Sequence, residues 1–269
     1  MKIGNPIARE KVKLPKGAYV LDVGGGHNPN PRAHVVIDKY TDSQNLHRSG
    51  NLRILKNQKF LAADAEDMPF GDKEFDYVFC CQVLEHAEHP EIFLNELARV
   101  GKRGYLELPT LIGEYLAPKA SHRWVGLELN HTIVLFSKES IHFSLPVDLG
   151  ELFAFYLPKH SMGYKIIQRE HPAMFNIGYE WQDSIDYLIN PSQEELRRLF
   201  TEAWLHEDCK WVCPSRPLWR EFLSSICIIF QIMWSVFQSK LLARIVKKTS
   251  NHVVFPLSAR SEPHTPKDS

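Results

Sequence analysis

The 269-residue sequence has no excess of either charge, few cysteines and no apolar run at its N-terminus. Basic and acidic residues number 32 each, which argues against a general nucleic-acid binder, whose surface carries an excess of basic residues. The five cysteines are scattered and odd in number, so we expect reduced intracellular thiols and no disulfide framework. Residues 1–16 contain charges and prolines. We therefore expect no signal peptide and a cytoplasmic location for the folded core.

The cysteine-bearing region also lacks a full set of metal ligands. His206, Cys209 and Cys213 are spaced closely enough to suggest a metal site, but no fourth ligand accompanies them. A structural zinc site normally has four protein ligands. We therefore interpret these thiols as packing residues and predict no metal.

The first part of the chain alternates short apolar runs with linkers or helical segments. This alternation is typical of an α/β protein with a mostly parallel sheet. A helix is predicted over residues 90–100, with Pro90 at its first position, acids early and Gly101 beyond its end. The predicted strands are 18–23, 34–38, 59–62, 75–80 and 103–108.

Two prolines interrupt the segment between the first two predicted strands. Pro29 and Pro31 do not continue a helix, and each disfavours helical backbone in the residue before it. We expect the first crossover helix to be shortened or missing. A short helix that begins at Pro31 is the alternative, because proline is well accepted at a first helical position.

Four parts of the chain differ in composition. We assign residues 1–147 to a core, 148–215 to a cap or continuation of it, 216–250 to an apolar amphipathic helix, and 251–269 to a disordered polar tail. Within the core, two β-rich runs on either side of Asn130 and His131 predict a hairpin.

A glycine turn and three acids carry most of the functional signal. The pattern Asp22-x-Gly24-x-Gly26 follows the first strand, where glycine lets the backbone approach a ligand. Asp38 ends the second strand, where a carboxylate can accept strong hydrogen bonds from two ribose hydroxyls. Asp64 ends the third strand, in position to accept an adenine amino group. Together these groups suit an adenosine-containing cofactor.

Four stretches of residues 17–109 together resemble the class I S-adenosylmethionine-dependent methyltransferases of the type 11 group. They are residues 20–26 (VLDVGGG), 64–70 (DAEDMPF), 75–78 (FDYV) and 83–86 (VLEH). The resemblance implies a doubly wound, Rossmann-like methyltransferase fold with S-adenosylmethionine as cofactor. It further implies that the methionine part is held by Asp22, Gly24, Gly25 and Gly26, the ribose by Asp38, the adenine by Asp64 and Ala65, and the sulfonium end by Gln82.

The sequence departs from the family pattern at the glycine turn. Asn28 replaces the third glycine, although asparagine tolerates positive φ better than most residues. A missing first helix would remove the amides that hold the methionine carboxylate. Arg32 and Arg48 are the candidates that we take from the nearby sequence, and we predict that Arg48 takes this role.

Three side chains are candidates for a general base that helps an acceptor lose its proton. His86 follows the fourth strand at the cofactor edge, and His122 lies after the fifth strand, where acceptor-binding elements insert. Histidine titrates near neutral pH and suits this task. Glu107 ends the fifth strand, where an acid among apolar residues needs a partner. For both histidines a structural role is the competing interpretation.

An uncharged stretch near the C-terminus leaves three interpretations open. Residues 222–237 contain no charge, and basic residues follow at Lys240, Arg244, Lys247 and Lys248. The predicted helix, 218–248, suits an interfacial segment whose cations meet anionic lipid at the inner face of a membrane. Packing on its own domain or in a homodimer is the second interpretation. A short membrane span is the third interpretation.

The leading hypothesis is a methyltransferase that acts on a small-molecule or lipid-linked acceptor. One alternative is a catalytically inactive subunit that binds the cofactor or docks on a membrane. The other is a nicotinamide-dependent oxidoreductase or sugar epimerase, which would need a helix directly after the glycine turn. Pro29 and Pro31 disfavour that helix.

Overall fold

A six-stranded sheet forms the centre of the protein. The structure is a computed structural model that describes residues 9–40 and 52–249. The strands of this sheet are β1 (Val20–Val23), β2 (Val35–Asp38), β3 (Lys59–Ala62), β4 (Tyr77–Cys81), β5 (Arg103–Pro109) and β8 (Asn176–Gln182). Their order is β3-β2-β1-β4-β5-β8. All neighbours pair in parallel except β5 and β8, which are antiparallel. The predicted doubly wound, mostly parallel sheet is confirmed.

The connection from β1 to β2 contains turns and no helix, as the two prolines predict. The loop is held instead by specific hydrogen bonds. The Asn30 amide donates to the buried Asp22 carboxylate at 2.7 Å, and the Gln58 side chain donates to the carbonyl oxygens of Asn30 and Ala33. The short helix beginning at Pro31 is not formed.

Two apolar layers cover the sheet. On one face the helix α1 (Pro90–Val100) buries Phe93, Leu94 and Leu97 against the sheet. The boundaries of α1 agree with the predicted ones. On the other face, residues 12–18 pack against aromatic side chains of β4 and β5, among them Phe79 and Tyr105. The central strands β1, β2 and β4 are therefore buried on both sides, whereas the edge strand β3 is partly exposed.

A second sheet has three strands, which are β6 (Trp124–Leu129), β7 (Thr132–Ser137) and β9 (Tyr187–Ile189). Their order is β6-β7-β9. The predicted hairpin is confirmed: β6 and β7 are antiparallel and joined by Asn130 and His131, whose φ angles are 48° and 63°. Two successive positive φ angles match the right-handed twist of a tight hairpin.

One of the remaining helices follows β5 directly, and the others lie in the C-terminal half of the chain. They are α2 (Leu111–Leu116), α3 (Leu157–His160), α4 (Met162–Glu170), α5 (Glu194–Thr201), α6 (His206–Val212) and α7 (Leu218–Thr249), with a π-helical segment at Glu151–Tyr156. The predicted C-terminal apolar helix is thus present as α7. Residues 251–269 lie outside the described part of the chain, so the disordered tail and the four-part division stay predictions.

Over residues 218–238, helix α7 leaves most of its apolar surface uncovered. Ile228 and Ile232 are buried, at 7% and 3% exposure, and α7 packs mainly along α4. Residues Leu218–Gln238 are long and apolar enough to cross a membrane by length and composition. Such exposure is unusual for a helix that only supports its own core. The exposed apolar side chains on α7 are Leu218, Trp219, Phe222, Leu223, Phe230, Met233, Trp234, Val236 and Phe237.

Candidate functional site

A cleft opens where the first four strands end. The strand order reverses between β1 and β4, and ligands of open α/β sheets bind at the carboxyl edge beside such a reversal. Its walls include Gly24 after β1, Asp38 at the end of β2, Asp64 and Ala65 after β3, and Gln82 after β4. Five of the predicted cofactor residues therefore share one cleft.

The two acids at the cleft differ in how they are held. The Asp38 carboxylate accepts the Tyr40 amide at 2.9 Å and is largely buried. The Asp64 carboxylate lies 2.6 Å from the Lys39 ammonium and accepts the Glu66 amide at 3.1 Å. Burial acts to raise the pKa of Asp64, but these partners hold it below its usual value.

Lys39 is a cleft residue that was not among the predicted site residues. It follows Asp38 directly and lines the cleft together with Tyr40. The Lys39 side chain is half-exposed, so its ion pair with Asp64 lies at the protein surface. The signal that could have revealed it was its position next to a predicted ribose ligand. A bound nucleoside that reached Asp64 would have to share this carboxylate with Lys39.

Asp22 accepts the amide of Asn30 in the loop that follows the glycine turn and does not line the cleft. It is 2% exposed, and burial raises its pKa to about 6. The turn itself needs glycine: Gly24 has a φ of 70°, and a Cβ there would collide with Val83. Gly25 and Gly26 lie outside the cleft lining as well, so the binding roles of Asp22, Gly25 and Gly26 stay predictions.

The two arginine candidates have different outcomes. Arg48 lies outside the described residues, so its predicted contact with the methionine carboxylate stays a prediction. Arg32 does not line the cleft and makes its contacts with other parts of the protein. Its guanidinium donates to the carbonyl oxygens of Arg9 and Val12 and lies over the Phe79 ring at 4.9 Å.

Gln82 and Glu107 form a hydrogen-bonded group at the ends of β4 and β5. The Gln82 side chain donates to Glu107 at 3.3 Å and to Asn176 at 3.2 Å. Tyr105 donates its hydroxyl to the other Glu107 oxygen at 2.7 Å. Gln82 has a φ of 60°, which is costly for a residue other than glycine and marks a constrained position. Tyr105 is the partner that the Glu107 carboxylate was expected to need.

A second cavity of about 530 Å³ adjoins this group at Asn176. Asn176 lines it, and Asn176 is also the residue that accepts the hydrogen bond from Gln82 of the cleft. Half of the remaining lining residues come from the β6–β7 turn and from α6, including His131, Lys210 and Trp211. The Gln82–Asn176 pair therefore connects the two spaces.

The histidine candidates lie together, but only one reaches the cleft. His86 lines the cleft, while His122 is 4% exposed and lies behind it. Their rings meet edge to face, with centroids 4.7 Å apart. His122 Nδ1 lies 2.6 Å from the Glu114 carboxylate. Glu107 lines neither space. The catalytic roles of His86, His122 and Glu107 stay predictions.

Comparison with known proteins points to one family. The family model described as "Methyltransferase domain" matches residues 30–106. An uncharacterized protein of Methanocaldococcus jannaschii is 48% identical over 96 residues, which are 35% of this chain and 44% of that protein. The ubiquinone/menaquinone biosynthesis C-methyltransferase UbiE of Pseudomonas fluorescens is 33% identical over 102 residues, or 33% of this chain and 39% of the relative.

These likenesses are confined to part of each protein. The chain spans less than half the length of both curated relatives. Among solved structures, the PH0226 protein of Pyrococcus horikoshii is 22% identical and has a TM-score of 0.30. That comparison covers 44% of this chain and 65% of the other. The remaining parts of the chain, including α7, must be interpreted from their own residues.

The buried Asp22 predicts a pH-dependent effect of replacing it with asparagine. Its folded-state pKa is raised to about 6, so the folded protein binds this proton more tightly than the unfolded chain. The contribution of Asp22 to stability therefore falls as pH rises from about 4 to about 6. The new side chain of Asp22→Asn does not titrate, but its oxygen can still accept the Asn30 amide. The stability of Asp22→Asn relative to wild type should rise by about 1–3 kcal/mol across this interval.

Urea unfolding of both proteins at about pH 4 and about pH 7 measures this difference. Asp72→Asn is the control, because the Asp72 side chain is 80% exposed. An Asp22→Asn difference that stays constant between the two pH values would show that the Asp22 carboxyl is not perturbed by burial.

Proposed function

We propose that this chain, whose core is a class I S-adenosylmethionine-dependent methyltransferase domain, transfers a methyl group to a small-molecule or lipid-linked acceptor. The supporting observation is the cleft at the carboxyl edge, where Asp38, Asp64 and Gln82 come from three strand ends onto one surface. Each side chain suits a different part of an adenosine-containing cofactor. S-adenosylmethionine supplies an activated methyl group on a positively charged sulfur.

The residues present fit such a cofactor. Asp38 can accept ribose hydroxyls, and Asp64 with the Ala65 amide can meet the adenine edge. Gly24 lines the cleft without a side chain, so the backbone there is open to a ligand. No other residue fits this position, because a Cβ would collide with Val83. Gln82 lies at the sulfonium end in this arrangement. Arg48 is proposed to pair with the methionine carboxylate, because the segment between β1 and β2 has no helix whose amides would do so.

Positioning is the main contribution that the cleft makes to methyl transfer. A methyl group bound to sulfur needs an in-line nucleophile, and holding the two together supplies much of the rate enhancement. The Gln82–Asn176 hydrogen bond fixes the boundary between the cleft and the second cavity. We assign the acceptor to this second cavity, because it opens beside the sulfonium end. A base from His86, His122 or Glu107 would assist an oxygen or nitrogen acceptor.

The acceptor is proposed to be apolar or to carry an apolar group. UbiE, by its name, serves ubiquinone and menaquinone biosynthesis, and such quinones carry apolar chains. The second cavity has Leu127, Ile177 and Trp211 among its lining residues. Helix α7 adds an exposed apolar surface on the same chain. An enzyme at a membrane surface reaches such an acceptor directly.

The nicotinamide-dependent alternative has less support. Dinucleotide enzymes place a pyrophosphate at the N-terminus of the helix after the glycine turn, and residues 24–34 contain no helix. The catalytic Tyr-x-x-x-Lys spacing of such enzymes does occur at Tyr115 and Lys119. Neither residue lines the cleft, however, so the pair is not placed to act on a nucleotide bound there.

A subunit that binds the cofactor without turnover stays open as a second candidate, because the cleft residues account for binding and leave the base unassigned. Release of S-adenosylhomocysteine from S-adenosylmethionine in the presence of lipid extracts separates an active enzyme from such a subunit.

The cofactor proposal predicts a large effect of Asp38→Ala on binding. The variant loses a charged acceptor for two ribose hydroxyls, and each such bond contributes about 1.5–3 kcal/mol. Binding of S-adenosylmethionine or S-adenosylhomocysteine should weaken by about 2 kcal/mol or more, or ~30-fold in Kd. Isothermal titration calorimetry measures both ligands.

Asp72→Ala is the matched control, since it removes an equal charge from a side chain that is 80% exposed. Its affinity for both ligands should equal that of wild type. Equal affinity of Asp38→Ala and wild type, in folded proteins, would contradict the proposed ribose contact. Failure of wild type to bind either ligand would contradict the function itself.

The membrane proposal predicts that α7 binds anionic lipid. Phe222 and Phe230 are 67% and 66% exposed, and four basic residues follow between Lys240 and Lys248. Burial of a phenylalanine side chain contributes about 1.5–3 kcal/mol. The double variant Phe222→Ser/Phe230→Ser should therefore lose most of its co-sedimentation with phosphatidylserine-containing vesicles.

Ile54→Ser/Ile92→Ser is the control, because these side chains are also exposed, at 50% and 46%, but lie away from α7. It should sediment as wild type does. Neutral phosphatidylcholine vesicles should bind less protein than anionic ones. If the wild-type protein does not sediment with vesicles and is dimeric by light scattering, the membrane proposal is contradicted. The exposed surface of α7 would then be a dimer interface.

A further inference from the structure

We propose that Glu85, His86 and His122 form a binding site for a divalent transition-metal ion, with Zn²⁺ as the ion that suits them. One carboxylate oxygen and one ring nitrogen from each histidine lie within 4.8 Å of one another. Two imidazoles and one carboxylate are the ligand set of many zinc sites that keep a fourth position open. This proposal does not depend on the cofactor or on methyl transfer.

The distance between the Glu85 and His122 ligand atoms is close to the spacing of two ligand atoms around a zinc ion. The carboxylate of Glu85 lies 3.8 Å from His122 Nε2. Tetrahedral zinc bonds of 2.0–2.1 Å keep neighbouring ligand atoms roughly 3.4 Å apart. A separation of 3.8 Å is too long for a hydrogen bond, but it needs only a small side-chain movement to accommodate an ion between the two atoms.

The cluster contains buried polar atoms whose hydrogen-bonding capacity is unused. Both Glu85 carboxylate oxygens and His122 Nε2 are buried without a hydrogen-bond partner, and the two side chains are 1% and 2% exposed. A buried carboxylate without a partner is costly. A cation bound between Glu85 and His122 would satisfy both groups at once.

The surroundings hold the histidines as metal ligands are commonly held. His122 Nδ1 lies 2.6 Å from Glu114, and His86 Nδ1 lies 3.0 Å from the Ser121 carbonyl. The contact of His122 with Glu114 fixes its proton on Nδ1, which leaves Nε2 of the neutral His122 ring with its lone pair. A metal-bound histidine characteristically has its other nitrogen hydrogen-bonded to a carboxylate or a carbonyl.

Glu114 is itself firmly positioned. It accepts hydrogen bonds from the Lys138 ammonium at 2.6 Å and from the Lys119 amide at 2.9 Å. Lys138 therefore neutralises Glu114 and leaves Glu85 as the carboxylate available to a cation. The ion would join the turn after β4 to the segment between α2 and β6. These segments already meet through the Arg123 amide and the Glu85 carbonyl, 2.8 Å apart.

The donor types favour zinc or a neighbouring transition metal over magnesium. Imidazole nitrogen is a good ligand for Zn²⁺, Fe²⁺ and Co²⁺, whereas Mg²⁺ prefers six oxygen ligands. His86 also lines the cleft, so the ion would lie beside the proposed cofactor site. The protein residues thus offer the ion three ligands and access through the His86 side.

Zinc titration of the full-length, chelator-treated and tag-free protein tests the site. Calorimetry should give one equivalent of bound Zn²⁺, and the bound ion should raise the melting temperature. Glu85→Gln keeps the size of the side chain but removes the charged ligand. Because loss of an outer partner alone typically costs 10–100-fold in metal affinity, Glu85→Gln and His122→Gln should each weaken binding by about 100-fold or more.

Two controls keep the test specific. His89→Ala removes an exposed histidine close in sequence, and its affinity should equal that of wild type. All proteins, including the reference that this test calls wild type, carry Cys209→Ser and Cys213→Ser, since these exposed thiols would otherwise bind zinc. Circular dichroism confirms folding of each variant. The cobalt-loaded protein should show the visible absorption of a low-symmetry, four- or five-coordinate site, and Glu85→Gln should lose it.

Two results would overturn the proposal. One is the absence of a zinc-binding heat in folded wild-type protein. The other is equal zinc affinity in wild type, Glu85→Gln and His122→Gln, which would place the ion on surface groups. Because neither readout requires S-adenosylmethionine, failure of the methyltransferase proposal would leave this test unaffected.

Discussion

Parallel pairing of β1 with β2 and β4 is the constraint on which the proposed site depends. The register places Val23 beside Ile37 on one side and beside Cys80 on the other. Residues that follow these strands therefore emerge at one edge, although Gly24 and Gln82 are far apart in the chain. Reversing any one strand would move its terminal residue to the opposite edge of the sheet. The cleft is thus a consequence of topology, and the side chains determine what it can hold.

The loop between β1 and β2 shows how this site differs from a helix-based anion site. Prolines prevent the crossover helix, and the buried Asp22 carboxylate holds the loop through the Asn30 amide. A helix would have presented several amides to a ligand carboxylate at once. A turn offers fewer such groups, so a side-chain cation has to compensate. This is why the chain's cofactor affinity is proposed to depend on Arg48.

The strands, α1 and the hairpin were predictable from sequence because each has a local cause. Short apolar runs, Pro90 before a helical pattern, and a two-residue joint at Asn130–His131 are all readable within a few positions. The gathering of Asp38, Asp64 and Gln82 followed from strand direction. The contact of Lys39 with Asp64, and the approach of Glu85 to His122, were not predictable in this way. They arise from side-chain contacts between distant segments, which carry no periodic signal in one sequence.

The uncovered surface of α7 and the second cavity are the parts of the chain to which we assign acceptor binding in the proposed function. Neither lies in the region matched by the family model, which ends at residue 106. The shared domain is proposed to bind the cofactor, and the chain's own C-terminal part then has to provide acceptor selection. The Glu85–His86–His122 cluster joins the turn after β4 to the segment before the hairpin, because His86 lines the cleft while His122 precedes β6. A metal ion there would stiffen the connection between them.

The central claim is that one cleft at the carboxyl edge of the sheet binds the adenosine of the cofactor. A crystal structure of the protein grown with saturating S-adenosylhomocysteine tests it most directly. The account predicts a ribose within hydrogen-bonding distance of the Asp38 carboxylate, adenine beside Asp64 and Ala65, and the sulfur near Gln82. A nucleoside bound elsewhere, or a cleft that stays empty at saturating ligand, would contradict it.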